Sequence, residues 1–597
     1  MWSLYNESNE LLPPLTFSSG KTQEDVAKEV IAAREQGHKI IFMRGSPGSG
    51  KSALALNIAK EVGKTSVVVP VKFLQKQYEH DYVRKLKLYK QNGEQLKIAM
   101  ITGRNNHPCL FNTEKKADYP FLPCIVEIRK ENIDLLHQYV GQNPAADPDD
   151  FQELKDFTRT AVAGACPYWS PIVSEEFAQH TSIDCEKLGY DAIKKNRKYI
   201  LQRKPGCGYY NQFHAYRDAD VIIFNSKKYE LENLMFRKPA TKLEVIDEGD
   251  EFLDKLSNER KINLQHLASR IKRVWEHEKN IDLKAVLQEI LELAIFLTKN
   301  NSGKEIALLS TNKAVELIDY FLRNSYLGEY EELEHYAETA LVFADYKESS
   351  YVMYTLNARQ ETILHIVNVD LQKKLHEYLD RNETFVFMSG TLHSKKVLRD
   401  IFGITDYCMI EAEPKDFGTV KRVFTKKEKE FRYRNFQNGS VTRDEYLRAL
   451  EECIALAPRP TLVHVNSFAD LPSIEEQEKL QLTIMPAEKL QELQEGKTGE
   501  LMQLFKQGKL DILYSTKCNR GVDFPGKMCN SIVYTKYPYP SMHDVFWQVL
   551  KLQKPDHYLE FYFDKAAREY KQRMYRGLRS KDDMIYLLSP DVKVLQP

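Results

Sequence analysis

Residues 38–63 read HKIIFMRGSPGSGKSALALNIAKEVG, and this stretch decides the fold. The apolar run at residues 40–43 predicts a buried strand, and Ala53, Leu54, Ile58 and Val62 recur at the spacing of a helix that follows it. Between the two lies Gly45-Ser46-Pro47-Gly48-Ser49-Gly50-Lys51-Ser52, a complete Gly-x-x-x-x-Gly-Lys-Ser loop. That order suits a triphosphate. Gly45, Gly48 and Gly50 let backbone N–H groups approach the phosphates at a helix N-terminus, Lys51 reaches the terminal phosphates, and the Ser52 hydroxyl can ligate Mg²⁺. ATP and Mg²⁺ are therefore the expected cofactors. A plain glycine turn would need neither the strand before it nor the Lys-Ser after it.

An NTPase also needs carboxylates at the end of another strand, and residues 243–254, LEVIDEGDEFLD, supply Asp247 and Glu248 after an apolar run. Asp247 would hold Mg²⁺ through its shell and Glu248 would polarise the attacking water. Alone, such a pair is more often a solvated strand end. The glycine loop upstream reverses that reading.

With 597 residues the chain exceeds one hydrophobic core, so several domains or two lobes with insertions are expected. Lys plus Arg and Asp plus Glu number 85 each, so any nucleic-acid contact must come from a local groove rather than from net charge. The opening MWSLYNESNELLPP has no signal-peptide pattern and no apolar run reaches the length of a membrane span. A cytoplasmic protein (nuclear in a eukaryote) with no membrane partner is the expectation. Nine cysteines in such a chain suggest free thiols or metal ligands rather than disulfides.

Further segments follow in a fixed order: Ser389-Gly390-Thr391 after residues 385–388, a strand and Asn466-Ser467 at residues 462–467, Arg520-Gly521-Val522-Asp523-Phe524-Pro525-Gly526, and Gln572-Arg573-Met574-Tyr575-Arg576-Gly577-Leu578-Arg579. Together with the loop and the acidic pair, this order resembles the XPD/DinG branch of superfamily 2 DNA helicases. Asp247-Glu248-Gly249-Asp250 stands where that superfamily has Asp-Glu-Ala-His or Asp-Glu-x-Asp. Residues 520–526 resemble Glu-Gly-Ile-Asp-Phe-x-Gly, which places Asp523 at the nucleotide. Residues 572–579 resemble Gln-x-x-Gly-Arg-x-x-Arg, with Tyr575 in place of the glycine. The resemblance makes Arg576 and Arg579 candidate arginine fingers and Gln23, in residues 17–30, a candidate adenine reader.

Five cysteines, Cys109, Cys124, Cys166, Cys185 and Cys207, fall between the glycine loop and the acidic pair. In the branch this interval carries a [4Fe-4S] cluster on four cysteines. The flanks GRNNHPC at residues 103–109 and CGYY at residues 207–210 resemble its first and last ligands. The resemblance implies Cys109, Cys124, Cys166 and Cys207 as ligands; Cys185 could replace Cys124 or Cys166, since the long stretch 127–162 departs from the family's shorter insertion. Wide, uneven spacing disfavours a zinc ribbon, and buried reduced thiols are the bland alternative.

The fold class that follows is α/β, with two RecA-like P-loop NTPase lobes and two insertions in the first. Residues 1–104, 208–250 and 380–418 would form lobe one, 105–207 the iron-sulfur insertion, 251–379 a helical arch-like insertion, and 419–597 lobe two. Leu283, Leu287, Ile290, Ala294 and Leu297 give the second insertion a helical apolar face. The resemblance implies an ATP-dependent DNA helicase moving 5′ to 3′ on single-stranded DNA, acting as a monomer on forked duplexes in repair or replication. The competing readings are an ATP-dependent translocase or remodeller that separates no strands, and a non-catalytic P-loop binding module.

Overall fold

A computed structural model describes residues 2–17, 19–45, 48–181, 183–300, 305–330, 332–357, 359–412, 418–496, 498–516, 523–578 and 582–596. The first lobe is built on a seven-stranded, all-parallel sheet in the order Cys408–Ala412, Ile40–Gly45, Phe385–Ser389, Leu243–Asp247, Thr65–Val69, Val221–Asn225, Ile98–Ile101. Its inner strands are buried on both faces, as the unbroken apolar runs require. Two apolar clusters cover the two faces, one around Phe42, Phe224 and Phe387, the other around Ile41, Leu54 and Val245. Strand Thr65–Val69 stops before Pro70.

Register sets the site. Met43 pairs with Met388 and Met388 with Asp247, so the carboxyl ends of three adjacent strands carry the glycine loop, Ser389 and the acidic pair side by side. The helix Lys51–Val62 begins directly after Gly50.

The second lobe has five parallel strands in the order Thr419–Arg422, Met584–Leu588, Ser531–Tyr534, Thr461–His464, Ile512–Ser515, with one core around Tyr446 and Leu450 and another around Phe524 and Ile532.

Two further bodies interrupt the first lobe. One joins the helices Ile133–Gln142 and Arg159–Ala163 to a three-stranded antiparallel sheet, Ile172–Ser174, Asn196–Gln202, Glu186–Ala192. The other packs helices Leu264–His277, Ile281–Lys299, Ala314–Arg323 and Glu334–Phe343 around its own core. It is not purely helical. An antiparallel sheet, Ala307–Leu308, Ser350–Leu356, Thr362–Asn368, Asn258–Asn263, closes it. Helical periodicity elsewhere in the segment hid this sheet, and the strand NERKIN carries charges on exposed positions that mark no strand. Among the described residues no helix is long and apolar enough to cross a membrane.

Candidate functional site

Gly48 and Gly50 adopt φ of 80° and 71°, open to glycine at no steric cost, and a side chain at Gly50 would collide with the Gln23 amide. Gln23 is buried, donates from Nε2 to Ser49 O at 2.7 Å and accepts from Leu15 N at 2.8 Å. The amide of Gln23, an adenine reader by the resemblance, is held by backbone on both sides. Ser46 and Pro47 lie outside the described residues.

Lys51 Nζ stands 3.7 Å from Glu248 Oε1. Asp247 ends its strand in a buried position. Burial raises its carboxyl pKa, the Lys51 charge opposes that rise, and the Glu248 charge adds to it. Glu248 takes the left-handed conformation, with φ 52°, and its N–H donates to Asp247 Oδ1 at 3.1 Å. For a residue with a Cβ that backbone is uncommon.

Gly249 and Asp250 stand where the resembled superfamily has Ala-His or x-Asp, and each fits its surroundings. A Cβ on Gly249 would stand 2.8 Å from Phe387 Cβ and 3.1 Å from Phe387 Cα. Asp250, fully buried, accepts from Ser389 Oγ at 2.8 Å, from Thr391 Oγ1 at 3.1 Å and from Arg568 Nη1 at 3.2 Å. The acidic motif is thereby tied both to Ser-Gly-Thr and to the second lobe.

The second lobe's helix Tyr558–Met574 supplies the rest. Gln572 Nε2 donates to Thr391 Oγ1 at 2.6 Å and to Glu248 Oε2 at 3.4 Å. Arg576 is buried; its Nη1 donates to Asp523 Oδ1 at 3.1 Å and its Nη2 to Gln572 Oε1 at 3.1 Å. A cleft of about 300 Å³ lies between these groups, lined by Lys51, Ser52, Asp247 and Glu248 from one lobe and by Asp523, Gln572 and Arg576 from the other. Leu74, Gln77 and Tyr82 complete its wall. Arg579 and residues 520–522 lie outside the described residues.

Four of the five clustered cysteines share one neighbourhood. Burial pushes the Cys166 thiol up to about 12, and Cys124, Cys207 and Cys109 act on it in the same direction. Asn112 N donates to Cys109 Sγ at 3.3 Å, while Arg104 lies 3.6 Å from Cys124 Sγ and 4.0 Å over the Tyr209 ring. Cys185 has Asp184, Lys187 and Arg203 as its charged neighbours instead. Among the described residues no three His, Cys, Asp or Glu side chains converge as they would on a metal ion. The four thiols are soft, buried ligands of the kind iron-sulfur clusters use, so the residue set fits that group while its coordination geometry is not drawn together.

Residues 450–597 match the helicase C-terminal domain family. The sequence matches no curated protein. Among solved structures, an XPD helicase aligns with a TM-score of 0.55 at 15% identity, covering 96% of this chain and 96% of that one. Apo XPD gives 0.52 at 13% identity over 95% and 96%, and Xpd4 of S. tokodaii 0.52 at 14% over 96% and 96%. The chain shares the fold of these XPD structures. At such identities the shared feature is the XPD fold over nearly the whole length, and the chemistry rests on this chain's own side chains.

Within that XPD-like frame, four contributors had been given no role by the sequence. Arg568 joins Asp250 to Asp254, at 3.2 and 2.9 Å, across more than 300 residues of chain. Gln572 stood in a quoted motif without a role of its own. Tyr78 and Tyr82 come from a segment, residues 72–85, in which no charge or glycine pattern points to a site.

Proposed function

We propose that the chain is an ATP-driven DNA helicase that moves 5′ to 3′ along single-stranded DNA and opens forked duplexes. The observation that carries this reading is the two-sided cleft, in which Lys51 and Glu248 from one lobe face Arg576 from the other. Lys51, with backbone N–H groups of the glycine loop, would bind the phosphates, and Ser52 and Asp247 would hold Mg²⁺, which supplies charge neutralisation on the phosphates. Glu248 would orient and deprotonate the attacking water. Arg576, delivered by closure of the second lobe, would stabilise the charge developing on the transferring group.

Coupling to movement has a physical path, because the Gln572–Thr391 and Arg568–Asp250 bonds both cross between lobes and both end on groups beside the acidic pair. Opening the cleft must break or stretch them. Single-stranded DNA would bind through phosphate contacts and base stacking between the lobes and the two insertions. Cys109, Cys124, Cys166 and Cys207 would hold a [4Fe-4S] cluster in the first insertion.

The test is ATP hydrolysis with and without single-stranded DNA or RNA, followed by strand displacement on forks with a 5′ or a 3′ tail. DNA-stimulated turnover with displacement from the 5′ tail supports the reading. Stimulated turnover without displacement identifies a translocase that remodels complexes, and no turnover identifies a P-loop binding module.

A further inference from the structure

Tyr78 ends the helix Lys72–Tyr78 and is 2% exposed, yet its hydroxyl is buried without a hydrogen-bond partner. It lies beside the Ser52 hydroxyl and the Asp247 carboxylate, and burial first, then the Asp247 charge, raise the phenol's pKa. A buried, unpaired hydroxyl costs free energy that a phenylalanine would not. The backbone just after it is unusual as well: Glu79–Lys85 is a seven-residue π-helical segment, a rare conformation found most often at functional sites. Its wide turn sets the Tyr82 ring 5.7 Å from that of Tyr78, with Tyr82 lining the cleft and its hydroxyl also near Ser52. Two phenols therefore converge on the two side chains that the nucleotide reading gives to Mg²⁺.

We propose that Tyr78, seconded by Tyr82, is a positioning residue whose hydroxyl orients the hydration shell of nucleotide-bound Mg²⁺ against Ser52 and Asp247. The inference rests on the nucleotide reading of the cleft and adds a feature that no glycine-loop or acidic-pair pattern contains. Mg²⁺ gives up its water reluctantly and keeps several molecules when bound through one or two protein groups. Such a water is a polar partner small enough to serve a phenol that Ser52 and Asp247 leave unpaired. The hydroxyl is then idle without metal and satisfied with it, which accounts for a tyrosine at a position whose packing a phenylalanine would fill.

The experiment is calorimetric binding of ADP with and without Mg²⁺, together with nucleotide-free thermal unfolding, for the wild type, Tyr78→Phe and Tyr82→Phe. For Tyr78→Phe the affinity for metal-free ADP should hold, the enhancement by Mg²⁺ should fall about ten-fold, and the nucleotide-free melting temperature should stay or rise. Tyr82→Phe should show a smaller loss of the same kind. An undiminished Mg²⁺ enhancement in folded Tyr78→Phe overturns the inference, and so does an equal loss with and without metal, which marks a packing role. Should Tyr78→Phe not fold, an undiminished enhancement in Tyr82→Phe overturns it. A wild type that binds ADP without regard to Mg²⁺ overturns the nucleotide reading as well, so the two failures are distinguishable.

Discussion

Arg568 of the second lobe donates to Asp250 of the first at 3.2 Å and to Asp254 at 2.9 and 3.1 Å, all within a buried interface. Burial alone would raise the Asp254 carboxyl; Arg568, Lys565 and His393 hold it well below the ordinary 3.8. Removing the guanidinium takes away the largest charge that offsets the burial of Asp254 and the ion pair of Asp250, so Arg568→Met should destabilise the protein by about 3 kcal/mol. Added to Asp254→Asn it should cost less than the sum of the two, because the partners share one network. Urea midpoints of the four proteins check this, and simple additivity would rule the coupling out.

Lys51→Ala should lower ATP turnover by about 10²–10³-fold, the scale on which single charge-stabilising groups act. Stability should change by less than about 1 kcal/mol, since the ammonium faces the cleft. Steady-state hydrolysis with single-stranded DNA, beside a thermal melt, separates the two effects; near-normal turnover would remove Lys51 from the site.

The cysteines allow a discriminating comparison. Cys166→Ser should strip iron and sulfide from protein purified without oxygen, because Cys124, Cys207 and Cys109 all act on that thiol. Cys185→Ser should keep both, its neighbours being Asp184, Lys187 and Arg203. Iron analysis and the visible spectrum of the two variants would reveal an exchanged ligand directly.

Local patterns showed through the sequence where one element contains its own reason. The strand Ile40–Gly45 declares itself because a parallel strand buried on both faces is apolar throughout, and the loop after it because phosphate chemistry restricts each letter. Arg568 was silent because its carboxylates lie in another lobe and its only nearby partner, Asp564, reads as an ordinary exposed helix pair. Gln23 was noticed for its amide, but sequence could not say that Leu15 and Ser49 would claim both ends of it.

His464 lies fully buried on the strand Thr461–His464; burial first, then the Arg573 charge, hold its pKa well below 6.5. The unfolded chain therefore binds a proton below pH 6.5 that the folded lobe refuses. Stability should fall as pH drops from there toward the folded pKa, by up to about 1.4 kcal/mol per pH unit from this group. Comparing wild type with His464→Phe between pH 7.5 and 5 isolates it: the wild-type urea midpoint should fall more steeply. Parallel slopes would mean that the folded ring takes up its proton over the same pH range as the unfolded one.

Gly249→Ala restores the letter that the superfamily carries beside its acidic pair, and it should nonetheless be harmful here. The added Cβ would press on Phe387 Cβ and Cα at 2.8 and 3.1 Å, and those atoms belong to the central strand Phe385–Ser389. Since the strand is hydrogen-bonded on both sides, the helix start at residue 249 has to yield, dragging Glu248 and Asp250 with it. Overpacking of this kind costs about 1–3 kcal/mol, and turnover should fall with stability because the displaced residues lie on either side of the glycine. The ring Cδ1 of Phe387 also stands at 3.1 Å, but Phe387→Leu should not rescue the variant, as leucine keeps the Cβ and Cα, and Cβ is the nearest atom of the three. A thermal melt and a hydrolysis assay on Gly249→Ala, alone and with Phe387→Leu, test both halves; rescue by leucine would place the conflict at the ring instead of at the strand.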